Sequence, residues 1–212
     1  MSETLPAHQF DDIEQQREAD SLGMWTFLAT EVMFFGGLFL AYILYRGAYP
    51  DVFAAAGHHM NVVAGAINTG VLLCSSLTMA LAVHAAQAGR RKLLVGLLSG
   101  TWILGLLFLG IKAYEYHGKF TEQLVPGAAF HYEGAPENLA ELFFLLYFAM
   151  TGLHGLHVAI GIGVLLFLTA RAWRNKISRE KFMPVEIVGL YWHFVDIVWV
   201  FLFPLFYLIN RT

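Results

Sequence analysis

Charge is what this sequence has least of. Asp, Glu, Lys and Arg make up 14% of its 212 residues, against roughly 25% in a soluble domain. The few charges are gathered into short clusters, and the long stretches between them are apolar. A soluble helical bundle interleaves charge at helical period along its outer faces, so that class is excluded. Cysteine is nearly missing as well. The single Cys74, set between Leu73 and Ser75 in an apolar run, rules out an internal disulfide and is expected to be inert packing. The start of the chain lacks the basic and then apolar pattern of a cleavable signal. Its first twenty residues are instead polar and acidic, with Glu3, Asp11, Asp12, Glu14, Glu18 and Asp20. No internal repeat and no low-complexity linker interrupts the remainder of the chain. The expected organisation is therefore an acidic polar tail over residues 1–20 and one helical unit over residues 21–212.

What the chain does have is hydrophobic mass, 58% of its residues with a mean hydropathy of +0.58. Five segments are long and apolar enough to cross about 30 Å of hydrocarbon: Leu22–Tyr45, Val62–Ala86, Leu93–Ile111, Leu139–Ala170 and Val185–Ile209. The fold class expected is all-α, an integral membrane bundle of five transmembrane helices. Basic residues set its orientation. Arg90, Arg91 and Lys92 lie between the second and third spans, and Arg171, Arg174, Lys176, Arg179 and Lys181 between the fourth and fifth. With five crossings both clusters fall on the N-terminal side, while the other side carries only Arg46, Lys119 and Arg211, with Lys112 near a helix end. The positive-inside rule then places the N-terminus in the cytoplasm and the C-terminus outside. The outer segment Tyr116–Asn138, with Gly118, Pro126, Gly127, Gly134 and Pro136, is expected to be an irregular loop over the bundle. The formal charge of −3 says little, because its distribution matters more than its sum, and no nucleic-acid partner is expected.

Ionisable groups inside spans cost several kcal/mol on an order-of-magnitude scale and need a partner or a function. Glu31 lies in the first span, His154 and His157 stand three apart in the fourth, and His193 and Asp196 repeat that spacing in the fifth. Residues three apart share a helix face. The second span adds a milder polar stripe, Asn68 with Ser75 and Thr69 with Ser76. An intrinsic metal or haem site would use such histidines as ligands, but a binuclear carboxylate site repeats Glu-x-x-His across helices, and no such repeat is present. A proton or ion transporter would make Glu31 a carrier carboxylate, yet inverted repeats and matched broken helices are not evident. Two readings remain open: the polar groups glue the bundle, each interhelical bond contributing about 0.6 kcal/mol, or they glue it and also support a larger complex.

Small residues, Gly96 and Gly100 in the third span, Gly36–Gly37 in the first and Gly155, Gly161 and Gly163 in the fourth, are expected to let helices approach closely. Trp25, Tyr45, Trp173 and Tyr207 sit near span ends and fit interfacial anchoring. Trp192 and Trp199 are likewise expected to face lipid or the interface.

Several blocks occurring together narrow the field. Thr30-Glu31-Val32-Met33-Phe34-Phe35-Gly36-Gly37, Asn68-Thr69 with Ser75-Ser76, Glu115-Tyr116, Thr151-Gly152-Leu153-His154-Gly155-Leu156-His157-Val158 and Tyr191-Trp192-His193-Phe194-Val195-Asp196-Ile197-Val198-Trp199 resemble subunit III of the haem-copper respiratory oxidases, in family order and over all five spans. The resemblance covers essentially everything after the acidic tail. It implies an accessory subunit with no haem or copper of its own. Such a subunit packs against a catalytic subunit I, which carries haem and copper and reduces O₂ to water, with subunits II and IV as further partners. It stabilises subunit I, holds phospholipids and supports proton uptake, in a bacterial plasma membrane. It further implies that Glu31 is a buried carboxylate near His154, and that Asn68, Glu115, His157, His193 and Asp196 belong to the same buried Glu–His and His–Asp framework. Longer family members have two more helices before the Glu31 helix, so this chain is similar to the short form, its lipid cleft open or completed by a neighbour. Lys112 stands where the family pattern commonly has Gln, free to snorkel outward or to meet Glu115. It leaves open whether the partner oxidase takes electrons from cytochrome c or from quinol; nitric oxide reductase homologues share the fold.

Overall fold

Asp12 starts the first helix. Its carboxylate accepts a hydrogen bond from the Gln15 amide at 2.7 Å, which caps α1, Ile13–Ala48. The computed structural model describes residues 12–177 and 182–208. Glu3, Asp11, Arg179, Lys181, Ile209 and Arg211, which contribute to the charge pattern and span limits, lie outside the described residues. Because α1 begins at Ile13, most of the second half of the acidic segment is helical and continuous with the first span.

Pro50 at the first position and Asp51 in the first turn then begin a short helix that the hydropathy pattern does not reveal, α2, Pro50–Gly57. Its Phe53 is fully buried, edge-on to Tyr42 and Phe143 with ring centroids 5.4 Å away in each case. Asn61 caps α3, Val62–Gln87, by accepting from the Ala64 amide. Gly89, at φ 69°, supplies the left-handed residue that ends it. α4 runs Arg91–Thr121, α5 Glu137–Trp173 and α6 Met183–Phe203. At Pro204, which has no amide hydrogen to continue the helical ladder, α6 passes into a π-helical turn, Pro204–Leu208. α4 thus extends ten residues beyond the Ile111 boundary read from hydropathy, and the loop expected over Tyr116–Asn138 begins only at residue 122.

α1, α3, α4, α5 and the run Met183–Leu208 are long and apolar enough to cross a membrane. Among the described residues there is no strand. α3, α4, α5 and α6 form a closed ring, each packed on the next and α6 back on α3, while α1 lies outside it against α6 and α5. Arg91 joins the ring's ends, donating from Nε to the Ala172 carbonyl at 3.0 Å and from its other guanidinium nitrogen to the Trp173 carbonyl. These are two of the carbonyls left over at the end of α5. Residues 122–136 fold over the other end, burying Leu124, Phe130 and Tyr132. Burial pushes the Tyr132 hydroxyl pKa up.

Several expectations fail here. Trp192 and Trp199 do not face lipid: they are 1% and 0% exposed. They stand on the ring's inner face, where each indole N–H meets a hydroxyl of α3. Tyr207 is not an interfacial anchor either, being fully buried, whereas Trp25, Tyr45 and Trp173 are exposed. Cys74 is exposed rather than packed. A side chain at Gly36, Gly37, Gly96, Gly100 or Gly163 would meet nothing within 4 Å among the described residues, so these glycines do not mediate close approaches between the described helices. Close approaches are instead at Gly65, where an added Cβ would lie 2.7 Å from the Phe203 ring, and at Gly161 and Gly105, where it would lie 2.8 Å from the Trp192 ring in each case.

The indole is pinned from both sides and cannot retreat. Gly161→Ala is therefore expected to lower stability by about 1–3 kcal/mol through overpacking, while Gly36→Ala leaves it unchanged or slightly raised. Thermal denaturation of the detergent-solubilised chain distinguishes the two. Equal melting temperatures for both variants would show that the indole is not fixed as described.

Candidate functional site

α6 presents its polar groups to α3 as an antiparallel series. The Trp192 indole donates to Ser75 Oγ at 2.7 Å, His193 Nδ1 lies 2.6 Å from Ser76 Oγ, and the Trp199 indole donates to Thr69 Oγ1 at 3.0 Å. Serine and threonine at these positions are small enough to let the indoles approach and carry the acceptors they require. His193 consequently does not pair with Asp196. The Asp196 carboxyl sits beside Ser76, the residue that also meets His193, and neither carboxyl oxygen has an aligned hydrogen-bond partner among the described residues.

On the outer side of the ring, Glu31 of α1 reaches α5. Its partner is His157, not His154: Glu31 Oε2 lies 3.2 Å from His157 Nε2. The reason lies in α5. His157 Nδ1 donates to the Leu153 carbonyl at 2.9 Å, since a carbonyl can only accept, and this turns Nε2 toward α1. Attraction between that nitrogen and the carboxyl requires one proton between them, on the ring or on the oxygen. Phe35 stands edge-on to the His157 ring at 5.5 Å, and Tyr191 of α6 donates to the His157 carbonyl at 3.0 Å. His154, one turn earlier, points into the ring. It is 1% exposed, stacks on Trp199 at 5.4 Å and meets Phe108 edge-on at 5.5 Å. Asn68 of α3 is fully buried as well.

Further along α4 lies a group that sequence reading only half resolved. Lys112 does not snorkel. It is 6% exposed and spends its three protons on Glu115 Oε2, Tyr147 Oη and Tyr207 Oη, each at 3.0 Å. Tyr207 donates in turn to Glu115 Oε1 at 2.6 Å, an orientation provided by the π-helical turn. The rings of Tyr116, Tyr147, Trp199 and Tyr207 surround the ammonium. One heptad on, Lys119 repeats the arrangement, donating to Glu122 at 3.0 Å and to the His59 carbonyl beyond α2 at 2.7 Å. Sequence reasoning does not single out Tyr147, Tyr207 or Lys119 as site residues. The readable signal was the seven-residue repeat of Lys112 with Glu115 and Lys119 with Glu122, running from the end of an apolar stretch of α4 to its C-cap.

Among the described residues no three His, Cys, Asp or Glu side chains gather as metal ligands. His157 and His193 have their ring nitrogens directed to Glu31, Leu153 and Ser76. The contacts of Glu31, His157, His193, Trp192 and Trp199 join helices and fall in the quoted sequence blocks, whereas the Lys112 and Lys119 groups lie largely outside them.

Comparison with known proteins matches residues 12–210 to the model of cytochrome c oxidase subunit III. The chain belongs to that family. It is similar to cytochrome c oxidase subunit 3 of Thermostichus vulcanus, 34% identical over 90% of this chain and 87% of the relative, and to that of Alkalihalophilus pseudofirmus, 32% identical over 99% and 95%. It is also similar to the probable quinol oxidase subunit 3 of Staphylococcus saprophyticus, 29% identical over 97% and 96%. In this subunit III the Tyr191–Trp199 and Asn68–Ser76 blocks are thus the two halves of one helix contact, and the Thr30–Gly37 and Thr151–Val158 blocks meet at Glu31 and His157.

Lys112→Met would leave the Glu115 carboxylate buried without its cation, and such losses cost about 3–5 kcal/mol. Replacing both, Lys112→Met with Glu115→Gln, should return most of that. Resistance of the purified chain to thermal unfolding measures both, and a single variant as stable as the parent would show that the pair carries no weight.

Proposed function

We propose that this chain is the accessory third subunit of a proton-pumping bacterial terminal oxidase in the plasma membrane, N-terminus in the cytoplasm. It packs against the haem- and copper-bearing catalytic subunit I, with subunits II and IV as further neighbours, and keeps subunit I working over repeated turnover of O₂ to water. Membership of the subunit III family makes it an accessory subunit of a haem-copper terminal oxidase. The observation that carries the reading is that the match runs from residue 12 to residue 210, across all five spanning helices.

The finer role rests on how α1 is held. It stands outside the four-helix ring, fastened by Glu31 to His157 and by the Tyr42 hydroxyl to the Leu205 carbonyl at 2.9 Å. Its outward face is apolar, with Val32, Met33, Phe34, Leu40 and Leu44 exposed, as a lipid or subunit contact requires. Between α1 and α6 runs an apolar groove of about 610 Å³ bordered by Trp25, Phe35, Phe39 and Phe201, a place suited to phospholipid acyl chains. Relatives of both oxidase kinds support a quinol oxidase as the second reading of the same role.

The direct test is affinity purification of the tagged chain in mild detergent. A subunit with haem spectra is expected to come down with it, the isolated chain being colourless. A Soret band from the isolated chain would overturn the accessory role, and proton flux in liposomes holding this chain alone would favour a transporter.

Glu31→Ala loosens α1 without touching the reaction centre. Initial O₂ reduction by the assembled oxidase should be retained while the number of turnovers before inactivation falls several-fold, followed by oxygen electrode. Immediate and complete loss of turnover in an assembled complex would instead place Glu31 in the reaction.

A further inference from the structure

His154 and Asn68 stand on α5 and α3, diagonal to one another across the four-helix ring. They are 1% and 0% exposed, and both His154 ring nitrogens and both Asn68 amide atoms lack a hydrogen-bond partner among the described residues. Both stand at the level of the same side chain. His154 stacks on the Trp199 ring, and Asn68 precedes Thr69, whose hydroxyl accepts the Trp199 indole N–H. Two hydrogen-bonding groups nearby are already committed. Thr69 accepts from the Trp199 indole and donates to the Gly65 carbonyl, and the three protons of Lys112 go to Glu115, Tyr147 and Tyr207. No neighbouring subunit can satisfy these atoms, because they are enclosed by helices of this chain.

Polar atoms at this depth are not left unbonded, since hydrocarbon offers them nothing. The chemistry of the pair defines what fits. An imidazole with one N–H offers a donor and an acceptor, and a primary amide offers both at once. Their common ligand must therefore also donate and accept. The neighbouring Lys112–Glu115 pair carries no net charge to hold an ion. We propose that the layer around Trp199 is an internal water site, in which at least one ordered water bridges the His154 imidazole to the Asn68 amide. The site places hydrogen-bonding capacity between two groups that the helices otherwise keep apart. His157 with Glu31 lies one turn along α5 on the α1 side, and Lys112, 5.4 Å from the Trp199 ring centroid, lies on the α4 side. It belongs wholly to this chain and holds whichever oxidase the chain serves.

A high-resolution cryo-EM map of the complex purified with this chain reads the site directly. A water peak within about 3.2 Å of a His154 ring nitrogen and of the Asn68 amide is expected. A map in which these atoms face only carbon, or turn to bond a protein group, overturns the proposal. His154→Phe, which keeps the stack on Trp199, should abolish the peak. Asn68→Leu alone should shorten the half-life of the complex on heating. In the His154→Phe background its further effect should fall by at least half, because the shared ligand is already gone. Equal losses in both backgrounds would mean that the residues share no ligand and would also overturn it. If either variant fails to assemble, the parent map decides. Absence of haem in the purified complex would count against the proposed function and leave the water site standing.

Discussion

Hydrogen bonding without solvent is the constraint from which this molecule is built. At bilayer depth a donor such as an indole N–H has no water to fall back on, and α6 carries two of them seven residues apart. Ser75 and Thr69 answer them from α3, and in doing so they fix the height of α6 relative to α3. The remaining features depend on that register. With Trp192 fixed, Gly161 and Gly105 have to be glycine-sized for α5 and α4 to approach it. With α6 fixed, the π-helical turn at Pro204 delivers Tyr207 to Glu115. A bond of this kind is individually worth little in membranes. Its effect here comes from removing the alternatives: any other register would strand two indoles and a buried ion pair together.

The buried charges divide into two kinds. Lys112 and Glu115 are fully bonded inside an aromatic enclosure, so they neutralise one another at short range and impose a fixed geometry on that end of the bundle. Glu31 and His157 share a single close contact at the edge of the ring, with the carboxyl partly accessible. The first arrangement suits a rigid centre. The second suits a helix that has to be held against the ring while its other faces meet lipid or another subunit. Both exist because a carboxylate in hydrocarbon without a partner is too costly to keep.

The helices were legible in the sequence because their signal is additive: twenty or so apolar residues in a row announce a span whatever the details. Glu31, His154, His157, His193 and Asp196 were legible as a set, since a charge in such a run is conspicuous. Their pairings were not. Spacing places His154 and His157 on one face, yet a face is wide enough for one to turn outward to Glu31 and the other inward to Trp199. That division depends on the angle at which α1 meets α5, which no periodicity encodes. Trp192 and Trp199 were misread because tryptophan in a membrane protein usually sits at the interface, and only the hydroxyls of α3 reveal that these two are internal. The glycines of α3 to α5 carry no label saying which meets an indole and which meets open space. Asp12 as a cap and α2 were hidden because both are short.

Arg91 joins two stages of the protein's existence. In the finished fold its guanidinium holds the final carbonyls of α5, bonding to a residue 81 positions later in the chain. During biogenesis those carbonyls do not yet exist when Arg91 leaves the ribosome, and until α5 is inserted the side chain stands beside Arg90 and Lys92 as bare charge. In that interval a charge so placed resists translocation of the loop between α3 and α4. When the fourth span arrives, the same charge changes occupation and becomes a clasp, so that retention on one side of the membrane and closure of the bundle are successive uses of one residue.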